Sequence, residues 1–105
     1  MNKAFTENGW KDYVYWQTED RKTLKKINAL LEDIDRNGNE GTGKPEPLTG
    51  NLAGFWSRRI NDKDRLIYRT EGNNIYILRI KRKEGSGRKW KKMRFWLSMG
   101  GSIKL

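Results

Sequence analysis

The chain has 105 residues and a formal net charge of +10, and 34% of its residues are hydrophobic. A chain of this length supports one modest core, burying roughly 60–65% of its unfolded surface, and five Trp, four Tyr and three Phe supply large rings for it. The absence of Cys and His excludes a disulfide framework, a thiolate metal site and Ser-His-Asp chemistry, so neither a metal nor a cofactor is expected.

Residues 2–6 read as a short strand, and Thr6 is placed to cap a helix beginning near Glu7, with Trp10, Tyr13 and Val14 on one face. A second helix follows a turn at Gln17–Glu19, with Thr18 or Asp20 as its cap. Leu24, Ile27, Leu30, Leu31 and Ile34 recur in it at three- and four-residue spacing, while Lys22, Lys25, Lys26, Glu32 and Asp33 fall largely on the other side. Asn37-Gly38 supplies its stop. From Asn39 to Leu52 the chain has no periodicity and reads as a long loop, of a length that is usually functional or disordered. Three strand-like runs then follow, Ala53–Ile60, Arg65–Arg69 and Asn74–Ile80, joined by the turn residues Asn61–Asp64 and Glu71-Gly72-Asn73. This order predicts an α+β fold in which two N-terminal helices pack on one face of an antiparallel sheet.

Charge is unevenly distributed. Arg79 to Arg94 holds nine basic residues and one acidic, so +8 of the net charge lies there and the rest of the chain is nearly neutral. Beyond Glu84 the pattern dissolves into Gly85-Ser86-Gly87, cations mixed with Trp90, Phe95 and Trp96, and a linker-like Gly100-Gly101-Ser102. The chain thus divides into a folded unit, 1–84, and a basic extension, 85–105. No apolar run approaches a membrane span and no secretory h-region opens the chain, so a cytoplasmic address without membrane contact is expected.

Two constellations could carry chemistry. Glu46 lies between Pro45 and Pro47, in a segment stiffened by fixed φ angles. It reads either as a pre-positioned general base or as an exposed acid in a rigid surface loop. The second is Phe55-Trp56-Ser57-Arg58-Arg59-Ile60 followed by Asp64-Arg65-Leu66-Ile67-Tyr68. If the hairpin pairs Arg59 with Arg65, both project from one face; a turn one residue longer would pair Arg58 with Ile67 and separate them. Converged guanidiniums make a phosphate clamp, whereas separated ones make a solvated face with partners such as Asp62 or Glu71. Lys44, Arg58 and Arg59 are the expected RNA or phosphate contacts. A carboxylate beside clustered arginines suits RNA cleavage in which a 2′-hydroxyl attacks its own 3′-phosphate.

The strings Asp12-Tyr13-Val14-Tyr15-Trp16-Gln17, Glu40-Gly41-Thr42-Gly43-Lys44-Pro45-Glu46-Pro47-Leu48, Asn51-Leu52-Ala53-Gly54-Phe55-Trp56-Ser57-Arg58-Arg59-Ile60 and Arg65-Leu66-Ile67-Tyr68 resemble the Txe/YoeB toxin family, in order over residues 1 to about 80. The resemblance implies a RelE/microbial-RNase-like fold and a bacterial toxin that enters the ribosomal A site and cuts messenger RNA. It also implies neutralisation by a YefM/Axe-type antitoxin, contact with DNA only through that antitoxin, and a homodimer as a plausible assembly. By the same resemblance Glu46 is the general base and Arg65 stabilises the phosphate. A His-Tyr pair, whose histidine is the general acid, should follow the last strand; without gaps those positions hold Lys83 and Glu84. Lys83 is then the candidate proton donor, on the condition that burial or the neighbouring Lys81 and Arg82 lower its pKa, while Glu84 cannot stack on a base. The missing histidine keeps a second reading open, an impaired RelE-like module that still binds antitoxin or ribosome. For 85–105 three accounts stand open: a non-native end, an extension whose cations and Trp90 and Trp96 grip ribosomal RNA, or a disordered appendage.

Overall fold

A computed structural model describes residues 1–82 and the backbone of 103–104. The chain forms β1 (Asn2–Thr6), α1 (Glu7–Glu19), α2 (Arg21–Asn37), β2 (Glu46–Pro47), a 3₁₀ turn (Gly50–Leu52), β3 (Trp56–Arg59), β4 (Asp64–Glu71), β5 (Asn74–Arg82) and β6 (Ile103–Lys104). The strands lie in the order β2-β3-β4-β5-β1-β6. The α+β class, the two helices and the strand meander are as expected. The long loop, however, contains β2 and the 3₁₀ turn, and Ala53–Phe55 lies between that turn and β3 instead of within the strand.

One pairing departs from the antiparallel expectation: β1 runs parallel to β5, with Asn2 opposite Asn74 and Phe5 opposite Ile77. The antiparallel expectation came from the two hairpins, β3–β4 and β4–β5. No hairpin governs β1, whose partner lies some 70 residues away, so its direction is decided by how α1 and α2 cross the sheet.

Both helix starts follow from single side chains. Thr6 Oγ1 accepts from the Gly9 amide at 2.9 Å and donates to the Leu78 carbonyl at 2.8 Å, capping α1 and tying it to β5 together. Asp20 caps α2 by accepting from the Lys22 and Thr23 amides. Ile27, Leu30, Leu31 and Ile34 of α2 are buried against Phe5, Ile60, Leu66, Tyr68, Ile75, Ile77 and Ile80 of the sheet. On the opposite sheet face the 3₁₀ turn lays Leu52, with Leu48 and Phe55, over Ile67 and Leu78. The loop is therefore packed, which is why it holds a defined shape.

The predicted apolar face of α1 is only partly buried: Trp10 is 41% and Val14 40% exposed, while Tyr13 packs against the core. Polar contacts hold α1 instead. The bulge between Ile67 and Tyr68 on β4 lies beside Leu78 on β5, and parallel pairing with β1 stops at Ile77. Beyond that point Ile80 takes its partners from α1. Its N–H donates to Asp12 at 2.9 Å and its carbonyl accepts from Trp16 Nε1 at 2.9 Å, which satisfies both backbone groups. Arg79 completes the junction by forking onto the same Asp12 carboxylate.

Candidate active site

The turn between β3 and β4 sets the geometry of the arginines. Asn61 Oδ1 accepts from the amides of Lys63 and Asp64, both at 2.8 Å, and the Ile60 amide donates to the Asp64 carbonyl at 3.0 Å. This closes the hairpin in the register that puts Arg59 opposite Arg65 and Arg58 opposite Leu66. On the next strand Lys81 lies opposite Arg65. Two residues along, Glu46 of β2 lies opposite Ser57, which lies opposite Ile67. Since side chains alternate with period two, Glu46, Ser57, Arg59, Arg65, Ile67 and Lys81 share the sheet face turned away from the helices. Glu46 and Arg65 are then two strands apart across the sheet and two residues apart along it, roughly 12 Å between their backbones.

Glu46 is exposed on edge strand β2, where Pro47 can lie without a lost ladder donor. Lys44, also exposed, takes a left-handed backbone at φ 49° immediately before the first proline. Arg59 is exposed, whereas Arg65 is only 8% exposed. Arg65 Nη1 donates to the Asn61 and Asp64 carbonyls at 2.6 and 3.0 Å, which fixes the guanidinium on the hairpin turn. Burial and the facing Arg59 charge lower the Arg65 pKa, opposed by Asp62, Asp64 and Glu46. Arg59 is the largest single charge acting on Arg65, ahead of each of those carboxylates.

Arg58 is a correction. Expected to meet phosphate, it is wholly buried, because the Arg59–Arg65 register turns its neighbour toward α2. Its five N–H donors make five hydrogen bonds. Nε reaches Tyr68 Oη (3.2 Å); Nη1 reaches Asp33 Oδ2 (2.5 Å) and the Thr42 carbonyl (3.0 Å); Nη2 reaches the carbonyls of Gly38 (2.6 Å) and Glu40 (2.7 Å). Nothing is left for RNA. Asp33, read from sequence as part of the polar side of α2, is buried and accepts in addition from the Thr42 amide and Asn37 Nδ2. Its pKa falls to about 2, chiefly through the Arg58 hydrogen bond and then through the Thr42 amide. The one local signal was its position three residues after Leu30, at the margin of the apolar stripe.

Lys83, expected as the proton donor, lies outside the described residues, as do Glu84 and the predicted extension up to the last strand. Among the described residues no group of three or more Asp or Glu side chains is disposed to hold a metal, and no helix is long and apolar enough to cross a membrane.

The model of the YoeB-like toxin family of bacterial type II toxin–antitoxin systems matches residues 5–83. Toxin YoeB of Streptomyces coelicolor is 48% identical over 81 residues, covering 77% of this chain and 96% of the relative. Two Staphylococcus aureus structures, a YoeB–YefM complex and a YoeB dimer, superpose with TM-scores of 0.74 at 49% and 50% identity, each covering 77% of this chain and 94% of the other. With Glu46 and the paired arginines set on one face of this fold, the chain belongs to the YoeB-like toxins of bacterial type II toxin–antitoxin systems.

Proposed function

We propose that this toxin is a ribosome-dependent messenger RNA endoribonuclease acting in the bacterial cytoplasm, without a metal or cofactor. The observation that carries the reading is the shared sheet face of Glu46, held between two prolines, and the Arg59–Arg65 pair. Glu46 takes the proton of a ribose 2′-hydroxyl, whose oxygen attacks the adjacent 3′-phosphorus. Arg65, desolvated and fixed by the turn, meets the charge that builds on the phosphorane oxygens, and Arg59 and Lys44 hold the flanking phosphates. The 5′-oxygen leaves with a proton from the acid, for which Lys83 occupies the expected position, and a 2′,3′-cyclic phosphate and a 5′-hydroxyl result. Residues 1–84 are the toxin unit and 85–105 an added basic segment.

The partner is a YefM-type antitoxin, as in the Staphylococcus aureus complex, and contact with DNA runs through it. A homodimer is supported by the Staphylococcus aureus YoeB dimer. One observation favours a second reading: the chain has no histidine, so a module that binds without cutting is the alternative. Primer extension on translated messenger RNA separates the two. Ribosome-dependent cuts that fall by about 10²–10⁴-fold in Glu46→Ala, and comparably in Arg65→Ala, support the enzyme. No cuts from the wild-type chain, with ribosome or antitoxin binding intact, leave the binding module.

A further inference from the structure

The Arg58 guanidinium is a knot around which the chain leading to Glu46 is tied. Three carbonyls within five residues, those of Gly38, Glu40 and Thr42, turn inward onto it. Its other two partners hold the same segment. Asp33 accepts from the Thr42 amide at 3.0 Å, and Tyr68 Oη donates to Asn39 Oδ1 at 3.2 Å. Gly41 has φ +113°, and a Cβ there would collide with the Asp33 carboxylate, so backbone and knot approach as closely as a side chain would forbid. Directly beyond, the Arg59 amide donates to the Gly43 carbonyl at 2.7 Å. Lys44 is left-handed and Pro45 has a fixed φ, so little torsional freedom separates the knot from Glu46. A cation needed only to fill the core could be replaced by an apolar residue at little cost; this one spends every donor on the segment before Glu46 or on the groups that grip it.

We propose that Arg58 and Asp33 are positioning residues for Glu46, holding its carboxylate in place through the 38–45 segment. The role rests on the reading of Glu46 as general base. Misplacing a reacting group by about 1 Å can cost on the order of 10²-fold. Arg58→Lys offers three donors in place of a planar fork of five, and Asp33→Asn keeps the shape while removing the charge. Both should lower single-turnover cleavage at saturating ribosome by about 10–100-fold, with ribosome affinity unchanged. Both should also speed hydrogen exchange at the Thr42 and Arg59 amides relative to those of β4 and β5. In a Glu46→Ala background neither should lower residual cleavage by more than about twofold.

The same fold-loss with and without Glu46, or a loss explained wholly by ribosome affinity, overturns the positioning role. So does wild-type cleavage despite rapid loop exchange. Should Arg58→Lys fail to fold, Asp33→Asn carries the test. Wild-type cleavage by Glu46→Ala overturns the base assignment and this role with it, whereas a large loss in Glu46→Ala with none in Arg58→Lys overturns the positioning role alone.

Discussion

Replacing Arg59 with Gln should stabilise the free protein while weakening its action on RNA. Arg59 and Arg65 face each other directly across β3 and β4, and like charges directly opposed in an antiparallel pair are destabilising by about 0.2–1 kcal/mol. Arg65 is nearly buried and cannot relax into water, whereas exposed Arg59 is partly screened, which places the gain near the middle of that range, at about 0.5 kcal/mol. For a domain of this size that corresponds to a rise in Tm of about 2–4 °C. Thermal melts at low salt should show it, and at 1 M salt, where the Debye length is about 3 Å, most of it should vanish. Lys25→Gln, on an exposed stretch of α2 away from the pair, controls for the general relief of removing one charge from a chain of net +10. Inorganic phosphate should raise the Tm of the wild type more than that of Arg59→Gln. Cleavage should fall about tenfold, less than the roughly 10²–10³ lost with a buried transition-state donor. A variant that melts at or below the wild type at low salt, or a gain that persists undiminished at 1 M, would refute the idea of a pre-strained anion site.

Acid should loosen the Arg58 knot. The Asp33 pKa is lowered to about 2 in the folded chain from 3.8, so its contribution is fully present above about pH 4 and is lost as pH falls toward 2. Urea midpoints should decline across that window and decline less in Asp33→Asn; identical slopes would count against the assignment. Gly9→Ala tests the seat of α1. A Cβ there would lie 2.5 Å from the Ile77 carbonyl oxygen and 3.2 Å from that of Leu78. The helix-propensity gain of about 1 kcal/mol should be outweighed by an overpacking cost of about 1–3 kcal/mol. Calorimetry should show a lower Tm, and an unchanged or higher one would mean that α1 can lift off β5 freely.

Much of the molecule was legible because the forces involved are local. The Thr6 and Asp20 caps, the α2 stripe and the Asn61–Asp64 turn each act within about four residues. The turn in particular settles the Arg59–Arg65 pairing, which the spacing alone had left between two registers. The proline-flanked Glu46 and the run over residues 5–83 that matches the toxin family are likewise properties of the linear chain.

Tertiary structure decided what depends on partners far along the chain. Arg58 and Arg59 are adjacent and chemically alike, yet one is sealed in the core and the other faces solvent, because a strand sends successive side chains to opposite faces. Asp33 becomes the partner of Arg58 across 25 positions, and Asp12 the partner of Arg79 and Ile80 across 67 and 68. No periodicity within α1 or α2 encodes those meetings. The parallel seating of β1 beside β5 has the same origin, since it is set by helix crossing and not by a turn. Composition and pattern thus named the fold and singled out Glu46 and the arginines as candidates. Register and long-range hydrogen bonding determined which arginine can meet a phosphate and which one holds the loop that carries Glu46.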